Sequence, residues 1–512
     1  MTAPPRRGCL RRLITGGGVL ALLLGVGYLV LAFWWIRVER GPQQDFLVEL
    51  NQPLIDSAVD RGAWPALKPA LEALGLPGRR AFPEELQSAV MDLDPDEQAN
   101  WLRDREPVLA RIREAVGRPV LGLPHAFALP SPEDRWLLLT PGELLEVEAA
   151  DLDSRAAAAE PPFLLELSPR YVGTFRALAR LLEVAGRAAL EAGHPERALD
   201  DVLAILDLSR LCLQDPLMIS QLGGLAIRAL AEQCLLDLLA DPRAASDERL
   251  LDRISKAFLA PGSAGALPSF EGERLILLDV LQRFYSDDGS GDGVPLFSPS
   301  VLSTFTGTDS GSVPGAGLGE WLLRPIMIKV VGTRREVLET YDDFIAESER
   351  LMEVDFWSAD WSTLDAMQEE LRGVRPLRLF PLGLLLFGPE AVIKQGMQVR
   401  FTHQLVETVV ALLRYRLRDG AWPRDLEELV PGLLPALPRD PWTGAPLGYG
   451  LRNGVPELWS VGPDRVDDGG TFAESRTPFF LGRKVPARKL AAGRDHLLWR
   501  GFESVEGGPQ SP

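Results

Sequence analysis

Seven consecutive residues, Asp287-Asp288-Gly289-Ser290-Gly291-Asp292-Gly293, put carboxylates on a glycine-rich turn. Hard oxygen donors in that pattern suit Ca2+, and an EF-hand loop begins this way. With Asp288 as position one, Pro299 occupies position twelve, where the bidentate glutamate belongs. The loop therefore lacks its closing ligand, and a solvated turn is the plainer reading. Trp357 and Trp361 lie four apart with Asp360 between them. They could form a platform for a sugar, but residues at that spacing also meet on one helix face simply to pack. The histidines are His125, His194, His403 and His496, and none stands at a catalytic or zinc spacing from Cys, Ser or Glu. The chain contains no G-x-S-x-G, H-E-x-x-H or P-loop. Without such a motif, a non-enzymatic binding or scaffold protein is the favoured class. An exported hydrolase using carboxylates of the helical region is the alternative.

The elements that would position these residues begin with an apolar segment. Leu13 to Ile36 carries no charged side chain. As a helix it reaches about 36 Å, enough to cross a hydrocarbon core of about 30 Å. Arg6, Arg7, Arg11 and Arg12 precede it, whereas Arg37 and Arg40 follow, partly offset by Glu39. That bias keeps residues 1–12 in the cytoplasm. Tyr28, Trp34 and Trp35 sit toward the far end, where aromatic rings favour the lipid–water boundary. The segment is longer than a signal-peptide core and no A-x-A site follows, so an uncleaved anchor is expected. The expected topology is a single pass through the inner membrane, with the bulk of the chain outside the cytoplasm. Cys212 and Cys234 would then face an oxidising compartment where a disulfide is open to them, although two buried apolar thiols are the plainer reading.

The chain has 512 residues, 46% hydrophobic and 25% charged, which indicates globular structure in more than one domain. Its net charge of -18 argues against a nucleic-acid partner, because phosphate binding needs a basic surface. The fold class expected is mainly α: the membrane helix, an irregular α-helical bundle, and a small α+β module at the C-terminal end. The bundle spans 41–285 and continues over 320–395. Short helices cut by prolines occupy Gly41 to Pro162. Among them, Asp94 can cap a helix that starts at Pro95, with Glu97 completing a capping box. That helix carries Trp101, Leu102, Val108, Leu109 and Ile112, and Pro107 is expected to kink or divide it.

Helical periodicity is strongest from Ser168 to Ala240. Tyr171, Phe175, Leu178, Leu182 and Ala185 form one face, and Leu199, Val202, Leu203 and Leu206 another. Gly193-His194-Pro195 and Asp215-Pro216 mark the next helix starts. Alanine and glycine at the crossings look like tetratricopeptide packing, but no copy recurs at a 34-residue period. Residues 286–319 are rich in Gly, Ser and Asp and read as a loop or linker. Leu377 to Phe387 is apolar but short, and reads as buried core rather than a second span.

The last third contains a distinct order of parts, placed at 396–475 with a tail over 476–512. Phe401, Leu405, Val409, Leu412 and Leu413 make a helical stripe that ends at Asp419-Gly420. A short helix follows from Asp425 to about Val430. Asp440-Pro441-Trp442-Thr443-Gly444 is a turn, and two strands are joined by Asn453-Gly454. Gly462 to Gly470 is an acidic glycine loop.

Three of these parts carry a family resemblance. Tyr415-Arg416 with Gly420, Trp422 and Pro423 is similar to the Y-R-x-x-x-G-x-[YW]-P stretch that closes the long helix of type II secretion major pseudopilins. Asp440-Pro441-Trp442 with Gly444 resembles their D-P-W-G turn, and Trp459-Ser460-Val461-Gly462-Pro463-Asp464 their Y-S-x-G-x-D-G strand and loop. The resemblance implies a helix packed on a small antiparallel sheet, partners in the cell envelope, and Ca2+ held by the final loop. On this sequence the calcium ligands would be Asp464, Asp467 and Asp468, with Arg465 where the family has glycine. The pseudopilin leader, Gly-Phe site and following glutamate have no counterpart, and about 360 residues separate Ile36 from Gln398. Assembly into a pseudopilus is therefore not expected. The helical remainder is similar to large uncharacterised planctomycete-type envelope proteins.

Overall fold

The structure is a computed structural model. It describes residues 18–30, 44–55, 61–74, 83–125, 163–259, 268–287, 289–296, 331–373, 378–379, 381–382, 389–472 and 495–502. The expected linker beyond residue 296, the helical continuation over 320–330, most of Leu377 to Phe387 and residues 126–162 lie outside them. So do both ends of the expected membrane span. Its middle, 18–30, is a helix, α1. Among the described residues no helix is long and apolar enough to cross a membrane.

The chain is mainly helical and ends in a three-stranded antiparallel sheet. The helices α2 (Leu47–Asn51), α3 (Ala63–Leu74), α4 (Pro83–Met91) and α5 (Pro95–Val116) come next along the chain, with α3, α4 and α5 sharing one core and Leu50 of α2 in another. Asp94 accepts from the Glu97 N–H at 2.8 Å and Pro95 opens α5, as the capping pattern predicts. Pro107, however, does not divide the helix. One hydrogen bond is lost there, but the flanking turns bury Leu102, Leu109 and Ile112, and that packing outweighs the loss.

Three long helices form the centre: α6 (Tyr171–Glu191), α7 (Pro195–Leu213) and α8 (Met218–Leu239). The predicted face of α6 is buried from Tyr171 through Ala185. Small residues let the axes approach. A Cβ on Gly186 would stand 3.4 Å from the Asp201 Cβ, and one on Gly224 would stand 2.9 Å from the Cys212 Cβ. The helices α9 (Pro242–Ala245) and α10 (Glu248–Phe258) follow, each started by an aspartate cap, Asp241 and Asp247. Then come α11 (Glu271–Phe284), α12 (Arg334–Glu353) and α13 (Ser362–Gly373).

The long helix α14 (Pro389–Asp419) joins two cores. Its first half places Val392, Ile393 and Met397 among Leu277, Leu281, Val337 and Phe344 of α11 and α12. Its second half places Leu405, Val409 and Leu412 among Leu199, Leu235, Leu251 and Ile254 of the central helices and α10. The stripe predicted over Phe401 to Leu413 is buried throughout. Arg400 meanwhile donates to the Glu353 carbonyl at 2.5 Å, supplying a partner for the end of α12.

Gly420, at φ +75°, ends α14 as the Asp-Gly signal predicts. The sheet has β1 (Gly448–Arg452), β2 (Val455–Ser460) and β3 (His496–Arg500), in the order β1-β2-β3. Asn453 and Gly454 both have positive φ, 54° and 79°, the conformation a two-residue hairpin turn needs. β3 falls in the stretch read as a C-terminal tail, where a single short strand far from its partner has no local turn to announce it. It covers the open edge of β2 and brings Trp499 to the core, edge-on to Trp422 with ring centroids 6.2 Å apart.

Candidate functional site

The acidic loop leaves β2 at Ser460 and is held at its root by Asp440. That carboxylate is 1% exposed; one oxygen accepts from the Trp442 and Thr443 N–H groups at 2.9 and 3.1 Å, and the other from Val461 N at 3.0 Å. The D-P-W turn therefore fixes where the loop begins. Gly462, at φ +77°, lies flat against His496, whose ring a Cβ would approach to 2.6 Å. Arg465, standing where the resemblance implies glycine, adopts φ +60°, the left-handed region that glycine fills without strain.

Two aspartates of the loop are turned to nearby donors. Asp464 accepts from Val466 N at 3.2 Å. Asp467 accepts from the Trp459 indole N–H at 3.2 Å and from Gly469 N at 2.9 Å. The Oδ2 of Asp468 is buried and has no hydrogen-bond partner. Sequence reasoning missed a fourth carboxylate, Asp495, at the start of β3. It is 1% exposed and accepts from Asp468 N at 3.2 Å and Gly470 N at 2.7 Å. Burial raises its pKa, and the charges of Asp467 and Asp468 raise it further. Burial lowers that of His496 against the opposing pull of Asp464, Asp495 and Asp440.

Among the described residues, no group of three or more His, Cys, Asp or Glu side chains is arranged to hold a metal ion. Asp464, Asp467 and Asp468 are neighbours in the loop, and Asp464 and Asp467 each accept from donors of their own. The EF-hand-like stretch is committed elsewhere too. Asp287 pairs with Arg334 at 3.1 Å, and Asp292 accepts from the N–H groups of Gly293 and Arg335 at 2.8 and 3.1 Å. Residues 286–287 and 289–296 thus fold back on α11 and on the first turn of α12, with Ser286 N donating to the Val294 carbonyl at 2.9 Å.

Trp357 and Trp361 do not share a helix. The first is in the 3-10 turn Phe356–Ser358 and the second precedes α13. Phe356 sits edge-on to both Trp361 and Trp442, with centroids 6.4 and 5.0 Å apart, and the Trp357 ring packs on Gly444. This aromatic group docks the D-P-W turn onto the helical body, which accounts for the rings without a sugar.

Other polar groups are buried in the helical body. His125 joins Asp215 at 3.0 Å, and the hydroxyls of Tyr171 and Ser220 donate to the other oxygen of that carboxylate at 2.7 and 2.6 Å. His403 is half-buried beside the α8–α14 seam, and burial, then the Arg228 charge, lowers its pKa. In the same seam Arg228 and Glu232 pair at 2.9 Å, and burial pushes Glu232 up to about 7. Asp201 of α7, fully buried, meets Arg113 of α5 at 2.7 Å and is pushed up to about 6, again by burial. Cys212 opposes Gly224, whereas Cys234 lies ten residues further along α8. Ten residues of helix are about 15 Å, beyond the reach of a disulfide, so both thiols are free.

Compared with known proteins, the chain matches no protein family, no curated protein and no solved structure.

Proposed function

We propose that this is a single-pass, membrane-anchored protein whose body lies outside the cytoplasm and acts as a binding or scaffold protein of the cell envelope. Residues 13–36 cross the inner membrane and residues 1–12 stay in the cytoplasm. The observation that carries the reading is the surface of α1. Val19, Leu22 and Leu24 are 57, 68 and 66% exposed, whereas most leucines of the other helices fill continuous cores. A helix that presents apolar side chains on all sides is suited to lipid. The arginine excess before it sets the orientation.

A pseudopilin-like module at the C-terminal end links this scaffold to type II secretion. Support for the link is the resemblance in sequence together with a long helix packed on an antiparallel sheet. Its helix is also built into the helical body, so the module presents its sheet and acidic loop from a fixed base. Asp201 and Glu232 are tied to arginines, which suits a structural role better than acid catalysis.

A reporter that folds only outside the cytoplasm, fused after Pro512, should be active, and the same reporter inserted after Arg12 inactive. The reverse pattern would overturn the orientation. Deleting residues 13–36 should move the protein from the membrane to the soluble fraction, and retention in the membrane would overturn the anchor. Affinity purification from native membranes should bring down secretion components; their consistent absence removes the secretion link while leaving the anchor intact.

A further inference from the structure

The turn between α7 and α8 is clamped by the start of α11. A Cβ on Gly272 would lie 2.3 Å from the Pro216 carbonyl oxygen, so the two backbones are in direct contact. Gln221 donates to the carbonyls of Pro216 and Ser269 at 2.9 and 3.0 Å and accepts from Ser269 N at 2.7 Å. Glu273 completes the clamp. Its Oε1 accepts from Met218 N, the first residue of α8, at 2.7 Å, where Leu217 offers no side-chain cap.

The other oxygen, Oε2, is buried and has no hydrogen-bond partner. The backbone N–H groups of Met218 and of Glu273 itself favour an ionised carboxylate, but burial outweighs them and the side chains around it add little help. Asp215, from the turn, acts on Glu273 with charge of the same sign. On α11, Glu271 is acidic and Arg274 is directed to Asp342 of α12 at 3.2 Å. From α12 comes Tyr341, whose buried hydroxyl also has no partner. We propose that Glu273 is a proton-operated latch, in which the neutral carboxyl holds α11 against the start of α8 and its ionisation loosens that contact.

An ionised Glu273 keeps one bare oxygen out of water with no cation beside it, which is costly. The neutral form avoids that cost and still accepts from Met218 N. Burial, with the Asp215 charge adding, pushes this carboxyl up to about 7, so the transition falls near neutrality. In the orientation proposed above the latch would respond to the pH outside the cytoplasm, but its test does not depend on that orientation.

The test is amide hydrogen exchange on the full chain in detergent, corrected for intrinsic rates, from about pH 5.5 to about pH 8.5. Asp201 and Glu232 are also raised, so a global melting curve would mix their effects with this one, and the local readout is needed. In the wild type, opening at residues 218–222 should increase at least about tenfold across that range, while 178–182 in the middle of α6 changes little. In Glu273→Gln, which stays neutral, the increase at 218–222 should vanish. An unchanged increase in the variant overturns the proposal. If the variant does not fold, the wild type alone still decides: equal responses at 218–222 and 178–182 overturn it, and a response confined to 218–222 supports it.

Discussion

Two loops of this protein are made from the same residues, aspartate and glycine, yet one holds a carboxylate whose pKa is lowered, Asp292, and the other lies against one whose pKa is raised, Asp495. In the loop at 286–296, Asp287 faces Arg334, and Asp292 sits at the first turn of α12. Burial would raise the pKa of Asp292, but the hydrogen bonds from Arg335 N, Gly293 N and Thr333, with the Arg335 charge, lower it overall. In the loop at 461–470 the neighbours are other acids. Asp495 comes from β3 to meet Asp467 and Asp468, and its pKa is raised. The composition of an acidic loop thus says little about its charge state; what matters is whether a cation and a helix N-terminus, or another carboxylate, is brought against it.

The comparison can be tested most severely at the root of the second loop. Asp440 accepts from backbone on both sides of the loop base while almost fully buried. Asp440→Ala should cost about 3 kcal/mol in chemical denaturation, because several buried N–H groups lose their acceptor at once. A loss below about 1 kcal/mol would mean that the D-P-W turn does not anchor the loop.

Opposite pH responses should follow from the opposite shifts. The raised Asp495 contributes stability that is fully present below the unfolded carboxylate pKa of about 3.9, and loses it as pH rises through its folded value. The lowered Asp292 contributes stability above about 3.9 and loses it as pH falls through its folded value. Exchange protection at Gly470 should therefore weaken as pH rises above about 3.9, while that at Arg335 weakens on acidification below about 3.9. Parallel responses at the two amides would break the contrast.

Smaller effects sharpen it. Asp287→Asn should cost less than about 1 kcal/mol, since the ion pair to Arg334 lies near the surface and is screened by salt. Calcium should do least: millimolar Ca2+ should leave the melting temperature of the full chain unchanged, because among the described residues no three His, Cys, Asp or Glu side chains are arranged to hold a metal ion. A calcium-dependent rise that Asp468→Asn abolished would show that the second loop closes on an ion, and would separate the two loops on different grounds.

Much of the helical architecture is legible in the sequence. Capping residues such as Asp94, the periodic faces of α6 and α14, the Gly420 stop and the Asn453-Gly454 turn all depend on residues within one or two turns of each other. That locality is why they can be read without a structure. The uncharged length of Leu13 to Ile36 is a property of the same kind, and it is the basis of the proposed anchor.

Only tertiary structure decided which distant groups meet. Phe356 docks on both Trp361 and Trp442, β3 closes the sheet 36 residues after β2, and Asp495 enters the acidic loop from the start of that strand. The pairing of Cys212 with Gly224, rather than with Cys234, depends on the register of one helix against another. The continuity of Pro107 within α5 depends on neighbours that bury the turns on either side. Local rules fix the conformation of a segment, but contact between segments is chosen by the burial of whole faces at once, and charge states follow from those contacts.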